Sequence, residues 1–248
     1  MNIGVCAKVT AHVDARIKIS AGGIDTAGEK QVISDWDEMA VEEAIRTKEA
    51  HGGEVTCFTV GPHSNDKVIR GGALALGCDK AVIIDSPLND SLHIASTLAN
   101  AIKASGSEVV FAGKATTDDG TGQVGPMIAE LLGWAQVTQV VEITFEGSTF
   151  KATRLMDAGA RQIVSGSLPA VITVEDGINT PRYAKLPAIM KAKRKPMDKQ
   201  SAEAGPERST LTNFSPPPSR PSGRILSGDA ATTAKELVRL LRDEAKVI

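Results

Sequence analysis

Apolar residues follow two rhythms through the first half of the chain. Short runs are apolar throughout: Ile3 to Ala7, Val55 to Val60, Ala81 to Ile84 and Val109 to Ala112. Such runs are the signature of parallel strands buried on both faces. Between them, apolar residues recur at helical spacing. Ala40, Val41, Ala44 and Ile45 form the inner face of a helix capped by Ser34 or Asp35, with Asp37 and Glu38 in its first turn and His51-Gly52-Gly53 at its stop. Val68, Ile69, Ala73 and Leu76 predict a second helix from Ser64 to Gly77. Ile94, Leu98, Ala101 and Ile102 predict a third, opened by Asp90, and Met127, Ile128, Leu131 and Leu132 a fourth. Repeated strand–helix units imply an α/β fold, a parallel sheet with helices on both faces. Lys8 to Lys30 has no helical rhythm. Arg16 to Ile19 alternates and Gly22-Gly23 can turn, so a small β excursion is expected there.

After Leu132 the rhythm shortens. Val140 to Phe145, Thr149 to Arg154, Gln162 to Val164 and Ala170 to Val174 are β-rich runs separated by Gly or Pro, expected as added, partly antiparallel strands. Pro181 and Pro187 then stiffen the approach to a short helix starting near Leu186, on which Leu186, Ile189 and Met190 lie close together. From Met197 to Ser227 the chain is rich in Pro, Ser and Gly and reads as a linker or extended arm. Ala234, Leu237, Val238 and Leu241 then share one face of a closing helix from about Asp229 to Ala245, suited to docking on a partner or on a distant part of the same fold. Two domains follow: residues 1–196, an α/β body, and residues 197–248, an arm with its helix.

The stretch with the most chemistry follows the fourth strand. Gly113 to Gly125 is a polar, glycine-rich loop between a buried strand and a helix. That geometry offers backbone N–H groups and a positive helix end to a phosphate. Asp118 and Asp119 suit the polar end of a nucleotide, because carboxylates accept hydrogen bonds from ribose or base but repel phosphate. The loop is neither a P-loop nor G-x-G-x-x-G, and the plain alternative is a βα connection whose glycines merely turn the chain. Gly125 is read as a turn position of positive φ. In a parallel sheet ligands bind outside the carboxyl ends of the strands. The loops after Ala7, at Val60-Gly61-Pro62 and from Gly113 to Val124 would meet there. The expected body is therefore a parallel-sheet, Rossmann-like adenine-nucleotide-binding domain.

Composition narrows the classes. The net charge of −2 gives no field favouring nucleic acid or an anionic membrane, and an aromatic content of 3% disfavours a base-stacking platform. No apolar run approaches the length of a membrane span, and Met1 to Cys6 leads directly into a strand, so no targeting segment is expected. Cys6, Cys57 and Cys78 lie in or beside apolar runs without metal-ligand spacing, as reduced core thiols would. His12, His51, His63 and His93 are scattered, and no G-x-S-x-G elbow is present. Asp118 suits turn bonding better than acid–base chemistry. No catalytic residue and no metal ligand is expected.

Several strings resemble the electron transfer flavoprotein β subunit along nearly the whole chain: Glu38 to Ala44, Gly61-Pro62, Arg70 to Gly77, Gly113-Lys114 with Asp118 to Gly125, Leu168 to Val171, and Pro181-Arg182-Tyr183 through Leu186 to Lys193. The last is the most specific. The resemblance implies an electron carrier without turnover of its own, paired with an α subunit that holds the redox-active FAD. It would pass electrons from flavin-dependent dehydrogenases to a quinone oxidoreductase, in the cytoplasm of a prokaryote or the mitochondrial matrix of a eukaryote. It implies structural AMP in the β subunit, with contacts falling on Cys6, Ser34, Val60, Thr116, Asp119, Gly122, Gln123 and Val124. It also implies a recognition loop anchored by Leu186, with Pro187, Ile189 and Met190 around it. Ser34-Asp35-Trp36 stands where the family has Asn-Pro-Phe or similar, and Gly122-Gln123-Val124 where AMP-binding members often have Asn-Gln-Thr. A Gln-Val-Gly-Pro string also occurs in electron-bifurcating members with a second FAD in this site. Val13 falls where some members place an aromatic residue near the flavin. An adenine-nucleotide-binding enzyme or sensor of the same α/β class is the alternative; no Ser-Gly-Gly-x-Asp-Ser loop after the first strand supports it.

Overall fold

The computed structural model describes residues 1–248 except Ala21, Gly22, Ala27, Leu88, Ala204, Leu211 and Pro221. The chain divides into two compact units, Met1–Asn213 and Phe214–Ile248.

In the first unit, β1 (Asn2–Cys6) is followed by β2 (Val9–Ala11), β3 (Lys18–Ser20), β4 (Gly23–Asp25) and β5 (Gln31–Ile33). β2 pairs with β5 and β3 with β4, both antiparallel. The β3–β4 pair is the expected β excursion, and the β2–β5 pair adds to it; Gly22 of the expected turn lies outside the described residues. Then come α1 (Asp35–His51), β6 (Glu54–Val60), α2 (Asp66–Ile69), β7 (Lys80–Asp85), α3 (Ser91–Ser105), β8 (Val109–Gly113) and α4 (Val124–Leu132). The added strands are β9 (Ala135–Glu146), β10 (Thr149–Leu155), β11 (Arg161–Ser167) and β12 (Ala170–Val174), followed by α5 (Leu186–Ala192) and β13 (Met197–Ser201).

Nine strands form one sheet in the order β11-β10-β9-β12-β8-β1-β6-β7-β13. From β9 to β13 every pairing is parallel, and β10 runs antiparallel to both β9 and β11. Val5 lies opposite Cys57 on one side and Phe111 on the other. Because side chains alternate along a strand, each central strand feeds two cores. Ile3, Val5, Val55, Cys57, Val109 and Phe111 pack with Ala40, Val41, Ala44 and Ile45 of α1 on one face. Cys6, Phe58, Val110 and Ala112 pack with Leu98 and Ile102 of α3 and Ile128 of α4 on the other.

Three expectations change. The helix read from Ser64 to Gly77 is not uniform. It opens with a 3₁₀ turn at His63–Asn65, and after α2 it widens into a π turn over Arg70–Leu74. Gly71-Gly72 supplies the freedom for that widening, and a Cβ on Gly72 would lie 2.6 Å from Ile33 Cδ1. The linker does not begin at Met197, because Met197–Ser201 pairs with Ala81–Asp85 as the outer strand of the sheet. Its polar sequence suits an edge, where pairing uses only the backbone. Gly125 does not have positive φ. It is needed for close packing, since a Cβ there would lie 2.5 Å from Thr173 Cγ2 on β12.

Among its described residues the second unit holds one helix, α6 (Ala230–Asp243), capped by Asp229, whose carboxylate accepts the Thr232 N–H at 2.9 Å. It has no buried side chain, and Leu237 and Val238 of its apolar face are exposed.

Candidate functional site

The carboxyl ends of β1, β6, β7 and β8 open into a crevice of about 320 Å³. Seven of the eight residues expected at a nucleotide line it: Cys6, Val60, Thr116, Asp119, Gly122, Gln123 and Val124. Ser34, fully buried, does not. It occupies the position before α1, but its hydroxyl makes no cap bond and instead accepts the Thr117 N–H at 3.2 Å, supporting the loop from beneath. The three loops expected at the site meet there, joined by a fourth, after β7 (Ser86, Pro87, Asn89), at another strand end on the same side of the sheet. Asp37 and Lys8 line the crevice too. By sequence alone Asp37 is only a first-turn helix acid, and Lys8 lies in a stretch with no rhythm.

Asp119 organises the glycine-rich loop. Its Oδ1 accepts the Thr121 N–H at 3.1 Å and the hydroxyls of Thr116 and Thr121 at 3.1 and 3.2 Å. Asp118 accepts the Asp119 N–H at 2.9 Å, while the turn bond to the backbone two residues on is made by Asp119, to Thr121. Lys8 Nζ stands 2.8 Å from both carboxylates. Partial burial works against the Lys8 charge, but the two carboxylates outweigh it and hold its pKa above the usual lysine value. Burial likewise opposes the Asp119 charge, and Lys8 with the loop's hydrogen bonds brings its pKa below the usual one. This end of the crevice is charge-matched. The start of α4 also lines the crevice; its first N–H groups have no partner within the helix, and Gln123 makes no side-chain cap there. Gly122 has φ +63, and a Cβ on it would lie 3.0 Å from the Lys114 carbonyl, a left-handed and tight position that glycine fills without strain. Lys114 is engaged elsewhere, 2.7 Å from buried Glu175 and 4.8 Å above the Trp36 ring.

Asp37 is buried in the crevice wall. Its Oδ2 accepts the Lys8 N–H and its Oδ1 the Gly113 N–H, each at 2.8 Å. Burial lifts its pKa to about 7, against the pull of those two N–H groups and of the Lys8 charge. Burial and nearby Asp37 push the Cys6 thiol well up, so Cys6 is a neutral contact. All three cysteines are free and buried, as expected.

The second feature is α5. Asn179 Nδ2 bonds the Met39 carbonyl and Glu43 on α1, and Arg182 clasps Glu42 through Nε at 2.9 Å and Nη2 at 3.0 Å and Glu49 through Nη1 at 2.6 Å. Burial raises the pKa of Glu42, but Arg182 and Arg46 more than reverse this and hold it below the usual range. At the far end, Arg70 Nη1 bonds the carbonyls of Ala192, Lys193 and Lys195, and Lys195 Nζ bonds those of Leu74 and Cys78. The helix is thus tied down at both ends while its outer side stays open. Leu186 is 72% and Met190 54% exposed, Pro187 is exposed, and Ile189 packs partly on the core. Val13 is also exposed. Among the described residues no helix is long and apolar enough to cross a membrane.

A mostly parallel sheet with helices on both faces and a crevice outside the carboxyl ends of its strands defines a doubly wound α/β domain. The comparisons with known proteins narrow that class. The family model for the electron transfer flavoprotein domain matches residues 21–204. The electron transfer flavoprotein subunit beta of Bacillus subtilis is 38% identical over the whole of both chains. That of Bradyrhizobium diazoefficiens is 36% identical over 97% of this chain and 96% of its own, and the Mus musculus subunit is 33% identical over 95% and 93%. The chain belongs to the electron transfer flavoprotein β-subunit family, a family of electron carriers.

Proposed function

We propose that this chain is the β subunit of a heterodimeric electron transfer flavoprotein. It holds AMP in the crevice at the strand ends and covers an FAD carried mainly by an α subunit. It presents α5 to flavin-dependent dehydrogenases, whose electrons pass on to a quinone oxidoreductase. The observation that carries this reading is the state of α5. Leu186 and Met190, 72% and 54% exposed, stand together with exposed Pro187 on a helix anchored at both ends, and such a small rigid apolar knob suits a pocket in a partner.

The residues of the crevice fit a mononucleotide. Its volume of about 320 Å³ lies within the roughly 300–1,000 Å³ of small-molecule sites. The start of α4 and the turn at Gly122 would take the phosphate, and Asp119 and Thr116 the polar end. The FAD supplies the redox chemistry when bound; this chain's residues bind, cover and orient. Denaturing the co-purified heterodimer and separating its nucleotides tests the reading. One AMP and one FAD per heterodimer is expected. Two FAD would move this chain to the bifurcating type that the Gln123-Val124-Gly125-Pro126 string also resembles, and FAD with no adenine nucleotide beside it would reject the site.

A further inference from the structure

We propose that Asp37 is a positioning residue of the crevice: by accepting one backbone N–H from the loop after β1 and one from the last residue of β8, where the next loop begins, its carboxylate holds the two loops at the spacing a bound adenine nucleotide needs. This rests on the nucleotide reading above.

Four observations converge. Both carboxylate oxygens are used, Oδ2 on Lys8 N and Oδ1 on Gly113 N, each at 2.8 Å. The side chain is 4% exposed yet lines the crevice, so its bonds face no competition from bulk water. Gly113 has no room for a side chain: a Cβ would lie 2.7 Å from Asp37 Oδ1 and 2.7 Å from Trp36 Cβ, so the end of β8 is drawn against the start of α1. The same helix start adds two further ties, the Ser34 N–H to the Lys8 carbonyl at 3.0 Å and the Ser34 hydroxyl to Thr117 N. The N-terminus of α1 is therefore the fixture to which both loops are pinned, and its positive end favours a carboxylate there. The held loops in turn place Lys8 Nζ between Asp118 and Asp119, which closes one end of the crevice. Burial of the Asp37 carboxyl opposes its charge. Keeping a carboxylate in such a place is costly, and two N–H donors that need one acceptor each give it a use. An asparagine has nearly the same shape but only one acceptor oxygen; its NH₂ would face one of the two N–H groups and release that loop.

The test uses the heterodimer, stripped of nucleotide and titrated with AMP by calorimetry. Asp37→Asn is expected to weaken AMP binding by about tenfold or more, the scale of one hydrogen bond to a charged group. Ile45→Val, a buried change on the same helix, is the control: it should lower the unfolding midpoint and leave the AMP affinity unchanged. Wild-type affinity in Asp37→Asn overturns the proposal, and so does an equal loss in Ile45→Val, which would mean that the site merely reports stability. If Asp37→Asn does not assemble, hydrogen exchange on the wild-type heterodimer decides. The segments carrying Lys8 and Gly113 should exchange slowly and slow further together when AMP is added; fast exchange in either, or no response to AMP, overturns the role. A wild-type heterodimer that neither carries nor binds AMP removes the nucleotide reading itself, an outcome distinct from wild-type binding that Asp37→Asn leaves intact.

Discussion

Leu186 and Leu74 show how much exposure decides for one residue type. Leu74 is fully buried and Leu186 is 72% exposed. Leu74→Ala should cost about 2–5 kcal/mol of stability, while Leu186→Ala should stay within about 0.5 kcal/mol. In the proposed function Leu186→Ala slows reduction of the heterodimer by its dehydrogenase, in hot-spot fashion, and leaves reduction by dithionite unchanged. Thermal unfolding paired with the two reduction assays checks this. An early-melting Leu186→Ala, or one reduced by the dehydrogenase at the normal rate, removes the anchor role. Gly125 makes the complementary point. A Val there would drive its Cβ to within 2.5 Å of Thr173 Cγ2, a β-branched side chain on a central strand that cannot swing aside. Gly125→Val should therefore destabilise by about 1–3 kcal/mol, and a denaturation midpoint equal to wild type would mean that α4 can shift away from β12.

A helix of seven residues has little stability of its own. What keeps α5 in place is its anchorage, so the anchors rather than the helix sequence should control docking. Arg182→Met leaves Glu42, 2% exposed, with Arg46 as its remaining ionic partner. The expected loss is about 1–3 kcal/mol, below that of a fully buried pair because Arg182 is itself partly in water. The sign of the pH dependence follows from Glu42, whose pKa is lowered on folding. Its stabilising contribution is complete above the ordinary glutamate range and is lost as the pH falls through the lowered value. The wild-type minus Arg182→Met stability difference should therefore shrink on acidification from neutrality, in denaturant titrations run at several pH values. A difference that grew in acid would contradict the clamp.

For the molecule as a whole, the second unit is where stability and assembly meet. A 35-residue piece whose helix α6 buries no side chain cannot stand on a core of its own. In the proposed heterodimer the apolar face of α6, with Leu237 and Val238 exposed, is covered by the α subunit. Deleting the chain from Ser215 onward should then abolish co-purification with the α subunit while leaving the first unit folded by circular dichroism. A truncated chain that still forms the heterodimer at full strength would show that the arm is dispensable.

Local pattern determined most of the body of this protein. Strands buried on both faces must be apolar throughout and helices between them apolar on one side, so β1, β6, β7 and β8 with α1, α3 and α4 were legible in the residues, and the strand-end rule then located the crevice. The prolines flanking Leu186 and the cap at Asp90 were legible for the same reason, because each acts within a few residues of itself. What pattern could not show is what side chains do across long separations. Arg182 meets Glu42 at 140 positions' distance, and Asp37 meets Gly113 at 76; as letters these are only a charged loop residue and a helix-start acid. Met197–Ser201 read as linker because an edge strand is recruited by backbone bonds to β7, which are indifferent to side-chain type. Gly125 read as a turn because glycine serves both freedom and closeness, and only the packing of α4 on β12 says which. Whether Leu186 belongs to core or surface was likewise left to the tertiary structure, since apolar spacing on a short helix is the same in both and only the ties at its two ends turn that side outward.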